Sequence, residues 1–89
     1  MSPTRKSRMR AYVLIETSAG KAKNVKTRLG KLKDGSSGVV ALDAVTGPYD
    51  FIAVIEGPSI DDIGRLVTDG IGAIDGVTRT TTCVAVAIG

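Results

Sequence analysis

Residues 39–56 read VVALDAVTGPYDFIAVIE, two apolar runs joined through Gly47-Pro48-Tyr49-Asp50. Proline presets the backbone angle a turn needs, and glycine relieves its steric limits, so these four residues read as a turn. The runs beside it, Val39 to Thr46 and Phe51 to Glu56, are too short for helices and rich in residues that favour strands. So short a connection makes them partners in an antiparallel hairpin.

Upstream, Ala11 to Thr17 (AYVLIET) is a strand with two apolar faces: Tyr12 and Leu14 on one, Val13 and Ile15 on the other. A strand apolar on both faces belongs in the middle of a sheet. Thr17-Ser18-Ala19-Gly20 breaks it. Ala22, Val25, Leu29 and Leu32 then recur at helical spacing, and Lys33-Asp34-Gly35-Ser36-Ser37-Gly38 is expected to end that helix. Downstream of the hairpin, Gly57-Pro58-Ser59 offers Ser59 as an N-cap, with Asp61 and Asp62 in the first turn, where the helix dipole favours anions. Ile60, Ile63, Leu66, Val67, Ile71 and Ile74 form the second stripe. Gly64, Gly70 and Gly72 each weaken this helix by ~1 kcal/mol relative to alanine, so its last turn is expected to fray or to pack unusually close to a neighbour. Asp75-Gly76 is a turn, and Val77 to Ile88 reads as a long fourth strand with Thr78, Thr80, Thr82, Val84, Val86 and Ile88 on one face.

The order is β-α-β-β-α-β. Right-handed crossovers place both helices on one face of a four-stranded antiparallel sheet, a ferredoxin-like α+β sandwich with the 11–17 and 51–56 strands in its centre. The second sheet face is then uncovered yet apolar, a patch on the order of several hundred Å² that monomers rarely tolerate. A homodimer built by stacking these faces is the expected remedy. The domain is expected to span residues 10–89, behind a flexible basic arm over residues 1–9.

With 43% hydrophobic residues the chain is globular. No apolar run approaches the ~20 residues of a membrane span, and no signal-type segment opens the chain, so a cytoplasmic protein is the default expectation. The single cysteine, Cys83, has no internal disulfide partner and reads as a small buried apolar residue. There is no histidine, no Gly-x-Gly-x-x-Gly and no Walker-type loop, so no catalytic group, metal or cofactor is expected. Charge is split: residues 1–33 carry +9 and residues 34–89 carry −6. The basic first helix and the acidic second could attract each other, or the basic end could attract a polyanion, and both readings stand at this point.

The Gly-x-Tyr-Asp turn (Gly47, Tyr49, Asp50), the apolar strand and helix after it, the Gly76-Val77 step and the Thr80-x-Thr82 strand start follow in a characteristic order. Together they resemble the effector-binding domain, often called the RAM domain, of the leucine-responsive/AsnC transcription regulators, over residues 10–89. The resemblance implies a ferredoxin-like domain that dimerises through its sheet, with dimers joined into rings, commonly octamers. It also implies a free amino acid or related metabolite bound between dimers, with Gly47, Tyr49, Asp50, Thr80 and Thr82 as the ligand-binding residues. Regulators of this family carry a helix-turn-helix ahead of the domain. The ten residues here before the first strand are too few for one, so the chain is expected to act as a stand-alone module beside full-length partner regulators.

The residues themselves leave alternatives open. Asp50 suits an ammonium, but it also suits the backbone donors of a plain hairpin turn. Thr80 and Thr82 could offer hydroxyls, although threonine is simply a good strand residue; Thr81 points to the other face. Tyr49 suits either a pocket or an interface. Two further classes compete: a small basic nucleic-acid-associated protein, disfavoured because the arm has no aromatic to stack on bases, and a small dimeric ferredoxin-like enzyme.

Overall fold

The computed structural model of the chain describes residues 8–88. Strand β1 (Met9–Thr17) leads to helix α1 (Ala22–Leu29). Strands β2 (Lys33–Asp34), β3 (Ser37–Ala44) and β4 (Phe51–Gly57) follow. Helix α2 (Ile60–Arg65) continues through a π-helical turn (Leu66–Gly70) and a 3-10 turn (Ile71–Ala73) into β5 (Val77–Val84). The sheet order is β2-β3-β4-β1-β5, antiparallel throughout, with β4 and β1 inside as the apolar patterning requires.

The sheet has five strands, one more than expected. Lys33 and Asp34 do more than end α1: they fold back on Gly38 and Ser37. Gly35 makes this possible, because it takes φ +63° at the first position of a two-residue hairpin loop, which only glycine adopts freely. Two residues per strand are too few to produce a legible alternation. The last strand, in turn, is shorter than expected. It stops at Val84; the Ala85 N–H still donates to the Arg10 carbonyl at 2.8 Å, and Val86 and Ile88 are exposed. The arm expected over residues 1–9 falls outside the described residues except at its end. There Arg8 donates to the Ser36 carbonyl, and Met9 already pairs with Gly57.

Alternation assigns the two faces. Ala11, Val13 and Ile15 of β1 and Phe51, Ala53 and Ile55 of β4 are buried beneath Val25 and Leu29 of α1 and Ile63, Leu66, Val67 and Ile71 of the second helical segment. Each full burial of such a side chain contributes ~1.5–3 kcal/mol. Ala22 and Ile60, assigned to the stripes from spacing, are exposed, because each opens its helix at the rim of the sheet. Ser59 caps α2 as expected: its Oγ accepts from the Asp62 N–H at 3.1 Å.

The glycines of the second helix have a packing cause. A Cβ at Gly70 would stand 3.0 Å from Leu32 Cδ2, so the bare backbone is what admits Leu32. The helix widens there, with the Ile71 N–H donating to both the Leu66 and Val67 carbonyls. That extra residue in the turn keeps Ile71 aimed at the core.

On the opposite face Tyr12 and Leu14 lie beside Val54 and Ile52. Tyr12 is 39% exposed, and the other three are half-buried with no helix above them. Cys83 pairs with Tyr12 on this same face and is exposed, contrary to the expectation of a buried thiol: β5 is an edge strand and nothing among the described residues covers this side of it.

Two substitutions test this account. Gly76 holds φ +106°, and a Cβ there would stand 2.5 Å from Lys21 Cβ and 3.1 Å from Val25 Cγ2. Gly76→Ala should therefore destabilise the domain by ~2–4 kcal/mol in urea unfolding, combining backbone strain with overpacking. Gly64 lies in α2 with open space around it, so Gly64→Ala should stabilise by ~0.5–1 kcal/mol in the same assay.

Candidate functional site

The β3–β4 turn is fastened to the end of β1. The Asp50 N–H donates to the Ile15 carbonyl at 2.8 Å, and the Val45 N–H donates to the Asp50 carbonyl at 2.9 Å. The Asp50 carboxylate adds a second attachment: Oδ2 accepts from the Thr17 N–H at 2.8 Å and from Thr17 Oγ1 at 3.1 Å. One residue on, the Ser18 N–H donates to the Gly76 carbonyl at 2.8 Å. The end of β1 thus ties together the β3–β4 turn and the turn into β5. Gly47, at φ +129°, makes the bend between β3 and β4 without a steric penalty.

This geometry places the five residues expected to bind a ligand. Gly47 is exposed at the tip of the turn, and Tyr49 and Asp50 are half-buried at its base. Thr80 is half-buried opposite Ile15, and Thr82 is exposed opposite Val13. Phe51, which follows Asp50, pairs with Ile15 from the other side. Phe51 and Thr80 therefore flank Ile15 at one level, and Asp50 lies one residue further toward the end of β1, at Thr17. Thr82 stands a further two residues, roughly 7 Å, along β5. These residues form an open corner.

Asp50 has the structural role that its residue type allowed: Oδ2 satisfies backbone and hydroxyl donors of Thr17. Its Oδ1 makes no hydrogen bond among the described residues, so one oxygen stays available to a cationic group. Thr17 is the site residue that sequence reasoning missed. Only a hydroxyl residue at a strand end hints at it, since the partner lies 33 positions away.

Grooves lie elsewhere. One of about 440 Å³ runs between α1 and the second helical segment, with Asn24, Arg28 and Lys31 facing Asp69 and Asp75. One of about 490 Å³ lies between the end of α1 and the β2–β3 hairpin. A smaller one, of about 260 Å³, separates β2 from the π-helical turn. Among the described residues, the attraction expected between the oppositely charged helical segments amounts to one contact, Lys21 to Asp75 at 2.8 Å. Their hydrogen bond, more than their charge alone, holds the Asp75 carboxyl below its ordinary value and raises the Lys21 ammonium. Asp62 pairs instead with Arg65 on its own helix, and Arg65 reaches across to Asp34 at 3.1 Å. Among the described residues no three His, Cys, Asp or Glu side chains cluster as a metal site would require, and no helix is long and apolar enough to cross a membrane.

These features define a class: a small α+β, ferredoxin-like domain with an uncovered apolar sheet face and an open corner at a hairpin turn. Residues 10–88 match the Lrp/AsnC ligand binding domain, and the chain belongs to that family. Solved structures agree. TTHA0845 from Thermus thermophilus is 28% identical with a TM-score of 0.80, over 91% of this chain and 96% of its own. The chain covers 58% of AsnC from E. coli, which is 21% identical with a TM-score of 0.83 over 99% of this chain. It covers 56% of the transcriptional regulator NMB0573 of Neisseria meningitidis, solved with L-Met, at 17% identity and a TM-score of 0.80 over 98% of this chain. At those last two identities the likeness is one of fold. No curated protein matches the chain.

The turn attachment has a measurable worth. Asp50→Ala leaves the half-buried Thr17 N–H without its acceptor and should cost ~1.5–3 kcal/mol, while Thr17→Val removes only the hydroxyl bond and should cost ~0.5–1.5 kcal/mol. Urea unfolding of both variants checks the ranking.

Proposed function

We propose that this domain is a non-catalytic effector module that binds a free amino acid or a closely related metabolite at the Gly47–Asp50 corner. It assembles through its open sheet face, and its assembly state answers to the ligand. The observation that carries this reading is the match of residues 10–88 to a ligand-binding domain, on a fold that leaves Tyr12, Leu14, Ile52 and Val54 uncovered. A second copy stacked on that face buries it, and by symmetry each copy offers the same patch.

Asp50 and Thr80 lie on strands either side of β1, and a second protomer supplies the remaining walls of the site. That fits a site between dimers in a ring, with the backbone of the turn and Thr80 and Thr82 addressing the carboxylate and Asp50 Oδ1 addressing the ammonium. The solved complex of NMB0573 with L-Met is an example of this fold holding an amino acid. Acting through partner regulators of its own family, such a module would convert the level of a metabolite into a change in transcription.

Light scattering and thermal melting with each of the twenty amino acids test the proposal. The expected result is a mass of at least a dimer. One or two amino acids should raise the melting temperature by roughly 10–20 °C at a hundredfold excess over their dissociation constant. Thr80→Val should abolish that response while leaving the unliganded melting temperature nearly unchanged. Leu14→Asp should break the assembly. A stable wild-type monomer indifferent to every amino acid would overturn both halves of the reading.

A further inference from the structure

Ion pairing divides the cations among the described residues into two sets. Arg10, Lys21, Arg65 and Arg79 each reach a carboxylate, on Glu56, Asp75, Asp34 with Asp62, and Glu16 respectively. Among the described residues, Arg8, Lys23, Lys26, Arg28, Lys31 and Lys33 form no ion pair, and all six belong to α1, its exit and the strand end beside the β2–β3 hairpin. The carboxylates nearest this surface do not neutralise it. Asp34 is held by Arg65, Asp75 is held by Lys21, and Asp69 shares a groove with Arg28 and Lys31 without pairing with either. Pairing between the helical segments, the alternative account of the charge split, therefore covers only Lys21 among the described residues.

The groove at the centre of this surface has the chemistry of an anion site. Arg8, Lys31 and Lys33 line it together with Gly35, Ser36 and Gly38, and no carboxylate among the described residues does. The guanidinium of Arg8 is fixed over the hairpin by its 2.9 Å bond to the Ser36 carbonyl. Arg5 and Lys6, two more cations, precede it in the sequence. The aromatic residues lie elsewhere: Tyr12 on the open sheet face, Tyr49 in the β3–β4 turn and Phe51 in the core. With nothing to stack on bases, this surface suits a phosphate backbone and offers no readout of sequence.

We propose that α1 and the β2–β3 hairpin form a sequence-independent docking surface for the phosphate backbone of duplex DNA, with a phosphate seated between Arg8, Lys31 and Lys33. The groove shares no lining residue with the Gly47–Asp50 corner or with Tyr12, Leu14, Ile52 and Val54 of the open sheet face, so a module occupied at those places could still rest on DNA beside a sequence-reading partner. The inference stands on the distribution of unpaired charge and does not depend on the effector reading.

Fluorescence anisotropy of the full 89-residue chain with a labelled random-sequence duplex tests it, at salt from about 50 to 200 mM. Two charge-matched variants decide the result: Lys26→Gln/Lys31→Gln/Lys33→Gln removes unpaired cations, and Arg10→Gln/Arg65→Gln/Arg79→Gln removes paired ones. Wild type should bind, with a log–log salt dependence made shallower by roughly 2–3 in the first variant, since each lost phosphate contact removes about 0.9 from the slope. The first variant should also lose at least roughly tenfold in affinity at about 100 mM salt, and the second should stay within about threefold, with melting temperatures confirming that both are folded. Equal losses in the two variants would reduce the effect to net charge and overturn the proposal. Tighter binding to a single strand of the same length would overturn the duplex assignment. Absence of DNA binding at about 50 mM salt, with a lower assembly mass for the first variant, would overturn it by showing that the surface meets another copy of the chain.

Discussion

The packing of Val25, Leu29, Ile63, Leu66 and Ile71 onto the central strands is the interaction on which the other features depend, because it can be made on one side of the sheet only. The described residues contain two helical segments, and both are used to bury Ala11, Val13, Ile15, Phe51, Ala53 and Ile55. The alternation that delivers these residues to the helices delivers Tyr12, Leu14, Ile52 and Val54 to the other side with no helix left to cover them. For a domain this small, which buries a modest fraction of its surface on folding, the uncovered layer is both a liability and a source of association energy.

The corner at the end of β1 shows how a residue serves a fold and remains available to a site. Asp50 is placed by its own backbone bonds to Ile15 and Val45, and its Oδ2 is held by Thr17. A carboxylate fixed in this way by its neighbours keeps its second oxygen in a defined direction, and that preorganisation makes a single charged contact selective. Thr80 and Asp50 stand on opposite sides of β1.

Charge follows a different logic from packing here. Arg65 bridges Asp34 and Asp62, Lys21 fastens α1 to the turn into β5 through Asp75, and Arg10 meets Glu56. Among the described residues the cations without an ion pair are gathered on α1, its exit and the strand end beside the β2–β3 hairpin. Exposed pairs of this kind contribute little to stability, so the arrangement matters more for what the surface attracts than for how firmly the domain folds.

Much of the fold was legible in residues 9–84. Period-two alternation in β1 and β4, the Gly47-Pro48 turn and the Ser59 cap are local signals, and each specifies its element without reference to the rest of the chain. The likeness of the Gly47–Asp50 and Thr80–Thr82 segments to a ligand-binding family was legible too, because it is carried by short motifs in a fixed order. Tertiary structure alone decided the short β2 strand, the exposure of Cys83, the engagement of Asp50 by Thr17, and the division of the cations into paired and unpaired sets. The physical reason is range. Periodicity and turn chemistry act over a few residues of backbone. Hydrogen bonds and ion pairs act over about 3 Å between groups such as Thr17 and Asp50, or Arg65 and Asp34, that only the completed sheet and its helices bring together.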